Sequence, residues 1–275
     1  MIIGIHCSVI DGFLEALRNA SRLGCEALQI LPYRRHHEPS EEEICAFIKE
    51  RAQSPVRRLI IHSRFVPSLA SGSSELRSRS IALLAHELSL AQRWGAEAFV
   101  LHAGAYSPGG DLRQGVQLFV DSVVKAISQS GADIALCLEN VPGGGRRMGG
   151  SLEELSLLFN PLKERLSPAG VCLDTAHAWS AGYDIASAEA MLRFLSRVHR
   201  LIGAQNVKVF HLNDTRAFLG SHRENHANWG EGYLGAEGLR VLLQRPEYSS
   251  ILGILETPMG QDNDRRNLGF VRAIL

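Results

Sequence analysis

Short apolar segments alternate with longer amphipathic segments from one end of the chain to the other. Eight of the apolar segments predict buried strands, because they are short and almost continuously hydrophobic. Strands of this kind are typical of parallel sheets covered by helices on the outside. The predicted strands are Ile2–His6, Ala27–Leu31, Leu59–His62, Ala98–His102, Ile134–Glu139, Val171–Asp174, Val207–His211 and Ile251–Glu256.

In the segments between the strands, apolar residues recur at the three- and four-residue spacing of an amphipathic helix. Ser40 is followed by Glu43, and Ser151 by Glu154, so both positions predict a capping box at a helix start. The predicted helices are Gly12–Leu23, Glu41–Ala52, Ser74–Trp94, Leu112–Ser130, Ser151–Phe159, Ser187–Leu201, Ala236–Leu243 and Arg265–Leu275.

Eight strand–helix units without a low-complexity linker predict one (β/α)8 TIM barrel, with a closed parallel sheet and a single domain over residues 1–275. A doubly wound open sheet is the competing topology. Its glycine-rich phosphate-binding loop would follow the first strand, but the residues there are CSVIDGF. The barrel is therefore the expected fold, with its active site at the C-terminal ends of the strands.

Composition narrows the function without identifying it. The chain has 275 residues, and its 29 Lys and Arg balance its 29 Asp and Glu, so a surface for nucleic acid would have to be local. Five cysteines without a C-x-x-C pair predict reduced thiols. No secretory signal and no apolar run long enough to cross a membrane are found, so we expect a cytoplasmic protein without a membrane partner. Nothing in the sequence requires an oligomer, so we expect a monomer.

Residues that bind metals cluster where the predicted strands end. In a barrel these ends converge on one face, so side chains from several strands can form one site. Each residue taken alone also fits a helix cap or a buried structural histidine. Asp174 with His177 three residues later supplies a charged oxygen and a directional nitrogen, which suits a divalent cation. The strand ends carry His6, His62, His102, Glu139, Asp174, His211 and Glu256, and the second strand alone has no such residue.

Five segments of the chain resemble the signatures of a known family. They are GIHCSVIDG, LENVPG, DTAHAWSAGYD, HLNDTRAFLGSHRENHANWGEGYLG and LETP, and together they extend over nearly the whole chain. On these residues the chain resembles endonuclease IV, a family of metal-dependent barrel enzymes that incise DNA at abasic sites. The resemblance implies the barrel fold predicted above and double-stranded DNA with abasic sites as the partner.

The resemblance also implies a site for up to three zinc ions, with manganese as an alternative. One ion would be held by His62 and His102, and Glu139 would bridge it to a second ion. Glu139 and Glu256 would be the catalytic carboxylates. The second ion would be completed by Asp174, His211 and Glu256, and the third would be held by His177, Glu224 and His226.

Two segments depart from the family pattern. The family has Asp-Arg-His where this chain has Glu224-Asn225-His226, so we expect a third ion held more weakly or with altered geometry. The loop after the second strand is LPYRRHHEP instead of Phe-Thr-x-Asn-x-Arg-x-Trp. In the next loop, Phe65 occupies the position of the family's intercalating tyrosine.

Basic and aromatic residues in the loops after the strands are candidates for DNA contact. Arg34, Arg35 and Phe65 could act as a wedge and clamp in the minor groove, although the segment around Arg34 also fits a solvated turn. Further arginines in these loops could meet phosphates, and DNA binding would then weaken with salt. Those predicted here are Arg64, Arg146, Arg147, Arg216 and Arg223.

The expected activity is that of a zinc-dependent AP endonuclease in base excision DNA repair. Metal-bound hydroxide would cleave the phosphodiester 5′ to the abasic sugar and leave a 3′-hydroxyl. A sugar isomerase or epimerase with one ion at Glu139, Asp174, His211 and Glu256 is the alternative enzyme. It would not need His62, His102, His177 and His226 as ligands. A DNA-binding barrel that has lost catalysis is the third interpretation.

Overall fold

Eight parallel strands close into a barrel in the computed structural model, which describes all 275 residues. The strands run around the barrel in chain order, so each is hydrogen-bonded to its sequence neighbours and the last returns to the first. The barrel strands are β1 (Ile2–His6), β2 (Ala27–Ile30), β3 (Arg58–His62), β4 (Ala98–His102), β5 (Ala135–Glu139), β6 (Ala169–Asp174), β7 (Val207–His211) and β10 (Leu252–Leu255). The predicted fold class is confirmed.

Helices connect the strands and cover the outside of the barrel. Most begin at a residue whose side chain accepts a hydrogen bond from the backbone three residues later, among them Ser40, Asp111 and Ser187. The helices are α1 (Phe13–Arg22), α2 (Glu41–Gln53), α3 (Ser74–Arg93), α4 (Leu112–Ser130), α5 (Leu152–Arg165), α6 (Thr175–Ser180), α7 (Ala188–Leu201), α8 (Glu237–Leu243) and α9 (Gln261–Arg272). None of them has the length and apolar character required to cross a bilayer.

The two predicted capping boxes have different outcomes. Ser40 and Glu43 form one, each side chain bonding the other residue's backbone. At the start of α5, Ser151 Oγ accepts a hydrogen bond of 3.1 Å from Glu154 N, but the Glu154 carboxylate does not bond the Ser151 backbone. It accepts hydrogen bonds from the backbone of Gly149 and Gly150 instead. The prediction of a second capping box is therefore wrong, because two loop amides donate to the Glu154 carboxylate instead.

The core has an inner and an outer part. The larger apolar cluster lies between the strands and helices, and a smaller one fills the barrel interior. At the start of the barrel, Gly4 lies so close to β2 that a Cβ atom there would meet Ala27 O at 2.3 Å. The interior cluster is an apolar layer directly below the C-terminal ends of the strands. It consists of Ala27, Ile60, Ala98, Val100, Cys137, Cys172, Val209, Leu252 and Ile254.

A long loop after β7 contains a small hairpin that the sequence pattern did not predict. Its strands are β8 (Asp214–Thr215) and β9 (His226–Ala227), which pair antiparallel. Buried Asp214 accepts hydrogen bonds from four backbone amides of this loop, at 2.8–3.1 Å. Gly232 is one of the donors, and a Cβ atom there would lie 2.3 Å from Asp214 Oδ1. The carboxylate thereby holds the loop over the end of the barrel.

Candidate metal centre

Glu139 lies at the middle of the converging strand ends. It is the last residue of β5 and is completely buried. Its Oε2 lies 3.0 Å from His62 Nε2 and 2.8 Å from His102 Nε2, and its Oε1 lies 2.9 Å from His211 Nδ1. Each of these histidines is also the last residue of its strand. Parallel strands of a closed barrel thus bring one carboxylate and three imidazoles to the same point.

The predicted ligands form three overlapping groups, in each of which the potential ligand atoms lie within 4.8 Å of one another. Glu139 belongs to the first and second groups, and Asp174 to the second and third. A further combination adds the Cys172 thiol to Glu139 and His211. The three groups are His62, His102 and Glu139; Glu139, Asp174, His211 and Glu256; and Asp174, His177 and His226.

Backbone carbonyls orient three of the histidines. His62 Nδ1 lies 2.8 Å from Ser63 O, His177 Nδ1 lies 2.9 Å from Asn140 O, and His226 Nδ1 lies 3.1 Å from Glu256 O. Because a carbonyl only accepts hydrogen bonds, each Nδ1 carries a proton, and each Nε2 is the nitrogen that can offer a lone pair to a bound cation. Orientation of this kind is typical of metal-binding histidines.

The Nε2 atoms of His177 and His226 test whether the centre fits a cation. Both atoms are buried, and neither has a hydrogen-bond partner. A buried polar atom without a partner is costly, and a group that accepts electron density from two imidazoles would remove this cost. A divalent cation does so, and the neighbouring Asp174 carboxylate would balance its charge. The donor set therefore fits metal ions.

Asp174 both caps a helix and faces the candidate metal centre. Its Oδ1 accepts a hydrogen bond of 2.7 Å from His177 N and so caps α6. Its Oδ2 lies 3.7 Å from His226 Nε2 in the centre. The amide of Asn213 donates to the same Oδ2 at 2.6 Å, and Asn140 bonds the Asp174 backbone in both directions. Helix capping and ligation are therefore compatible at this residue.

In the absence of a cation, the centre balances its charge with protons. Burial alone would raise the pKa of Glu139, but the neighbouring rings of His211 and His102 lower it well below the ordinary value. Burial would likewise lower the pKa of His177, but Asp174 and Glu139 raise it well above the ordinary value. Burial lowers the pKa of His6 to about 4, which keeps this ring neutral. A bound cation can take over the role of the imidazolium protons.

Glu224 lies beside the third group. Its Oε2 is 3.7 Å from His177 Nε2, and 57% of its side chain is exposed. The neighbouring His177 is the largest cause that lowers the pKa of Glu224, to about 2, so the carboxylate is ionised at neutral pH. It reaches the centre from a loop and not from a strand end.

Sequence reasoning missed three neutral residues that hold the ligands. Asn140 follows Glu139 directly, and Asn213 is two residues after His211, so their positions beside ligands were a usable signal. Asn213 Oδ1 also accepts a hydrogen bond from Glu256 N. The third residue, Gln29, lies on the strand that carries no ligand. It is completely buried beneath the centre.

The loop arginines separate into distinct places. Arg35, Arg64 and Phe65 line one surface groove of about 560 Å³, together with Tyr33. The Arg64 guanidinium lies over the rings of Tyr33 and Phe65, at 5.4 and 5.6 Å. Arg34 does not join them, because it faces Glu43 at 3.4 Å in another cavity. The wedge-and-clamp prediction thus keeps Arg35 and Phe65 together but not Arg34.

A second groove, also of about 560 Å³, lies in the loop after β7. Arg216, Arg223 and Glu224 line it. Arg216 is paired with Glu231 at 2.7 Å, while the exposed Arg223 has no ion-pair partner. Of the two predicted phosphate contacts, Arg223 is therefore the freer one.

Comparisons with known proteins agree with this architecture. Residues 17–274 match the family model of xylose isomerase-like TIM barrels. The probable endonuclease 4 of Chloroflexus aurantiacus is 32% identical over 281 residues, covering 99% of this chain and 97% of that protein. The crystal structure of endonuclease IV from Thermus thermophilus superimposes with a TM-score of 0.86 at 32% identity, covering 100% of this chain and 98% of that one.

A D-tagatose 3-epimerase-like protein is similar at a TM-score of 0.76, covering 100% of this chain and 97% of that one, but at 17% identity this likeness shows the fold alone. The match to the endonucleases, in contrast, extends over nearly the full length of both chains at a higher identity. The chain belongs to the endonuclease IV family.

Proposed function

We propose that this chain is a zinc-dependent AP endonuclease of base excision repair. It would hydrolyse the phosphodiester 5′ to an abasic site in double-stranded DNA and leave a 3′-hydroxyl. As a member of the endonuclease IV family the chain is a nuclease, that is, a phosphodiester hydrolase. The observation that carries the proposal is the junction of three donor groups at Glu139 and Asp174.

His62, His102 and Glu139 would hold one cation, and the two overlapping groups would hold the others, with Glu224 completing the third. Zinc, or manganese in its place, supplies positive charge that neutralises the phosphate and activates the attacking water. Because Glu139 and Asp174 are each shared between groups, these buried carboxylates would set the spacing of the ions. Glu256 keeps 17% of its side chain exposed and faces the mouth, so we propose it as the second catalytic carboxylate.

A cavity of about 320 Å³ beside the centre suits an extruded abasic nucleotide. His102 and Glu224 form the side next to the proposed cations, and Arg147 offers a positive charge. The remaining lining is small or aliphatic, with no aromatic residue on which a base could stack; it consists of Val66, Gly104, Ala105, Val141 and Pro142. We propose that this cavity receives the sugar and phosphate at the site of the missing base.

The sugar isomerase alternative is disfavoured by the histidines outside the second group. An isomerase of that type needs one cation, which Glu139, Asp174, His211 and Glu256 would hold. It leaves the buried Nε2 atoms of His177 and His226 without a partner. A barrel that only binds DNA is disfavoured by the same contacts, because every predicted ligand is within reach of the centre.

A nicking assay tests the proposal directly. Zinc-loaded protein is incubated with a labelled duplex that has one abasic site and with the same duplex intact. We expect incision of the abasic strand alone, with a 3′ end that a DNA polymerase extends. Conversion of a ketose without incision of the abasic duplex would favour the isomerase, and inertness in both assays would favour the binding protein.

Phe65→Ala is expected to weaken binding of the abasic duplex. The ring is 54% exposed in the groove with Arg35 and Arg64, where it can stack on a base next to the lesion. Loss of one stacking contact of about 1–3 kcal/mol raises Kd roughly 5- to 150-fold. Fluorescence anisotropy measures Kd, and Leu157→Ala is the control, because Leu157 is 53% exposed on outer helix α5. An equal effect of the two substitutions would contradict the wedge.

Glu224→Gln is expected to remove one cation and leave the others in place. The side chain is ionised and faces His177 Nε2, so the neutral amide loses the charge that would help hold the third ion. Metal analysis after gel filtration should give about one zinc per chain fewer than the wild type. Glu231→Gln, in the same loop but paired with Arg216, is the control. A metal content unchanged from the wild type would show that Glu224 is not a ligand.

A further inference from the structure

His211 differs from the three histidines that backbone carbonyls orient. Its Nδ1, not its Nε2, faces the centre, 2.9 Å from Glu139 Oε1 and 3.1 Å from Glu256 Oε2. Its Nε2 points down into the barrel, where its partner is Gln29 Oε1 at 2.9 Å. The ring is therefore oriented by a side chain, and that side chain comes from the strand without a ligand.

The donors and acceptors around Gln29 allow only one orientation of its side-chain amide. A carboxylate accepts hydrogen bonds, so the amide nitrogen of Gln29 must face Glu256 Oε1, which lies 2.5 Å away. The amide oxygen then faces His211, and His211 Nε2 must carry the proton. His211 Nδ1 is then the nitrogen that can offer a lone pair to a bound cation.

A third contact completes the arrangement. Gln29 Nε2 also lies 3.0 Å from His6 Nδ1, which accepts the second amide proton. Gln29 is 0% exposed, and its neighbour in the strand register is His6. Both amide hydrogens and the amide oxygen are thus used, and a flipped amide would place its oxygen against the Glu256 carboxylate.

We infer that Gln29 is a positioning residue of the metal centre. It selects the nitrogen that His211 presents, and it fixes the orientation of the Glu256 carboxylate through the same amide group. Side chains that orient the ligands in this way raise metal affinity, and their loss costs about 10- to 100-fold in affinity or activity. The inference rests on the proposed metal centre but not on the proposed DNA substrate.

Two substitutions of Gln29 separate its bond to His211 from its bonds to Glu256 and His6. Gln29→Met keeps the length of the side chain but removes all three hydrogen bonds, so we expect zinc binding to weaken roughly 10- to 100-fold. Gln29→Glu keeps an oxygen for His211 Nε2–H but loses both donors and sets a second carboxylate against Glu256. We expect it to weaken zinc binding as well, while retaining the His211 tautomer. Ser122→Ala, which removes a buried hydroxyl bonded to Leu69 O, is the control.

Zinc affinity is measured by chelator competition on the loaded protein, and the His211 tautomer of the same zinc-loaded protein by long-range ¹H–¹⁵N NMR. We expect the Nε2–H form in the wild type, Gln29→Glu and Ser122→Ala, and loss of this single form in Gln29→Met. If Gln29→Met does not fold, the affinity of Gln29→Glu decides. Wild-type affinity in the folded variants would overturn the inference. Absence of tight zinc in the wild type would instead overturn the metal centre itself.

Discussion

Glu139→Gln is expected to abolish incision while the barrel stays folded. Glutamine has the same shape, but it lacks the charge that Glu139 would supply to two of the cation sites. Its amide can still accept a hydrogen bond from one of the surrounding histidines, so the buried position is not left empty. Charge stabilisation by metal ions contributes several kcal/mol, and a loss of ~4 kcal/mol corresponds to a rate about a thousandfold lower.

The single-turnover rate of incision on an abasic duplex is the measurement, with circular dichroism to verify folding. Glu97→Gln is the matched control, because Glu97 pairs with Arg58 at the opposite end of the barrel. We expect this control to incise at the wild-type rate. A rate near that of the wild type in Glu139→Gln would refute the proposed role of the shared carboxylate.

The barrel and the convergence of most candidate ligands could be predicted from sequence because both depend on local patterns. Each strand is a short apolar run, and in all but β2 a residue with a metal-binding side chain ends the strand or follows it directly, as at His102 and Glu256. In a closed parallel sheet all these ends lie on one rim, so position along the chain implies proximity in space. No long-range contact had to be known to bring His62 and His102 to Glu139.

The residues that were missed depend on contacts between distant parts of the chain. Gln29 has no charge and lies in an apolar strand, and it acquires its role only when β2 is placed beside β1 and below His211. The hairpin after β7 has strands of two residues, too short for any alternation to be visible. Its shape comes from Asp214, which collects amides from as far away as Leu234.

Arg34 and Arg35 show a further limit of sequence reasoning. The sequence alone does not distinguish two adjacent arginines in a loop. In the structure, the backbone turns between Arg34 and His37, and the side chains of Arg34 and Arg35 lie in different cavities. Arg34 meets Glu43 of α2, whereas Arg35 lies in the groove with Phe65. Which of two neighbouring arginines is available to DNA is decided by the turn geometry.

Removal of the metal is expected to abolish incision and lower the melting temperature substantially. A ligand present at about 1,000 times its Kd stabilises the folded state by about 4.1 kcal/mol, since the unfolded chain lacks the site. For a chain of this size about 1 kcal/mol corresponds to about 2–4 °C, so we expect a decrease of roughly 8–16 °C. Chelation followed by calorimetry measures it, and added zinc should restore both properties.

The metal-free protein should also acquire a distinct pH dependence. Burial opposes protonation of His177 and His211, but without cations the buried anionic groups around them raise the pKa of both rings well above the ordinary value. The folded state then binds more protons than the unfolded state above about pH 6.5, so its stability falls as pH rises through this range. In the loaded protein the bound cations take the place of these protons. The difference in melting temperature between the loaded and the metal-free protein should therefore widen from about pH 6.5 to about pH 8.

In Glu139→Gln, with one carboxylate fewer, chelator should shift the melting temperature less than in the wild type. A melting temperature that chelator leaves unchanged at every pH would contradict a resident metal centre.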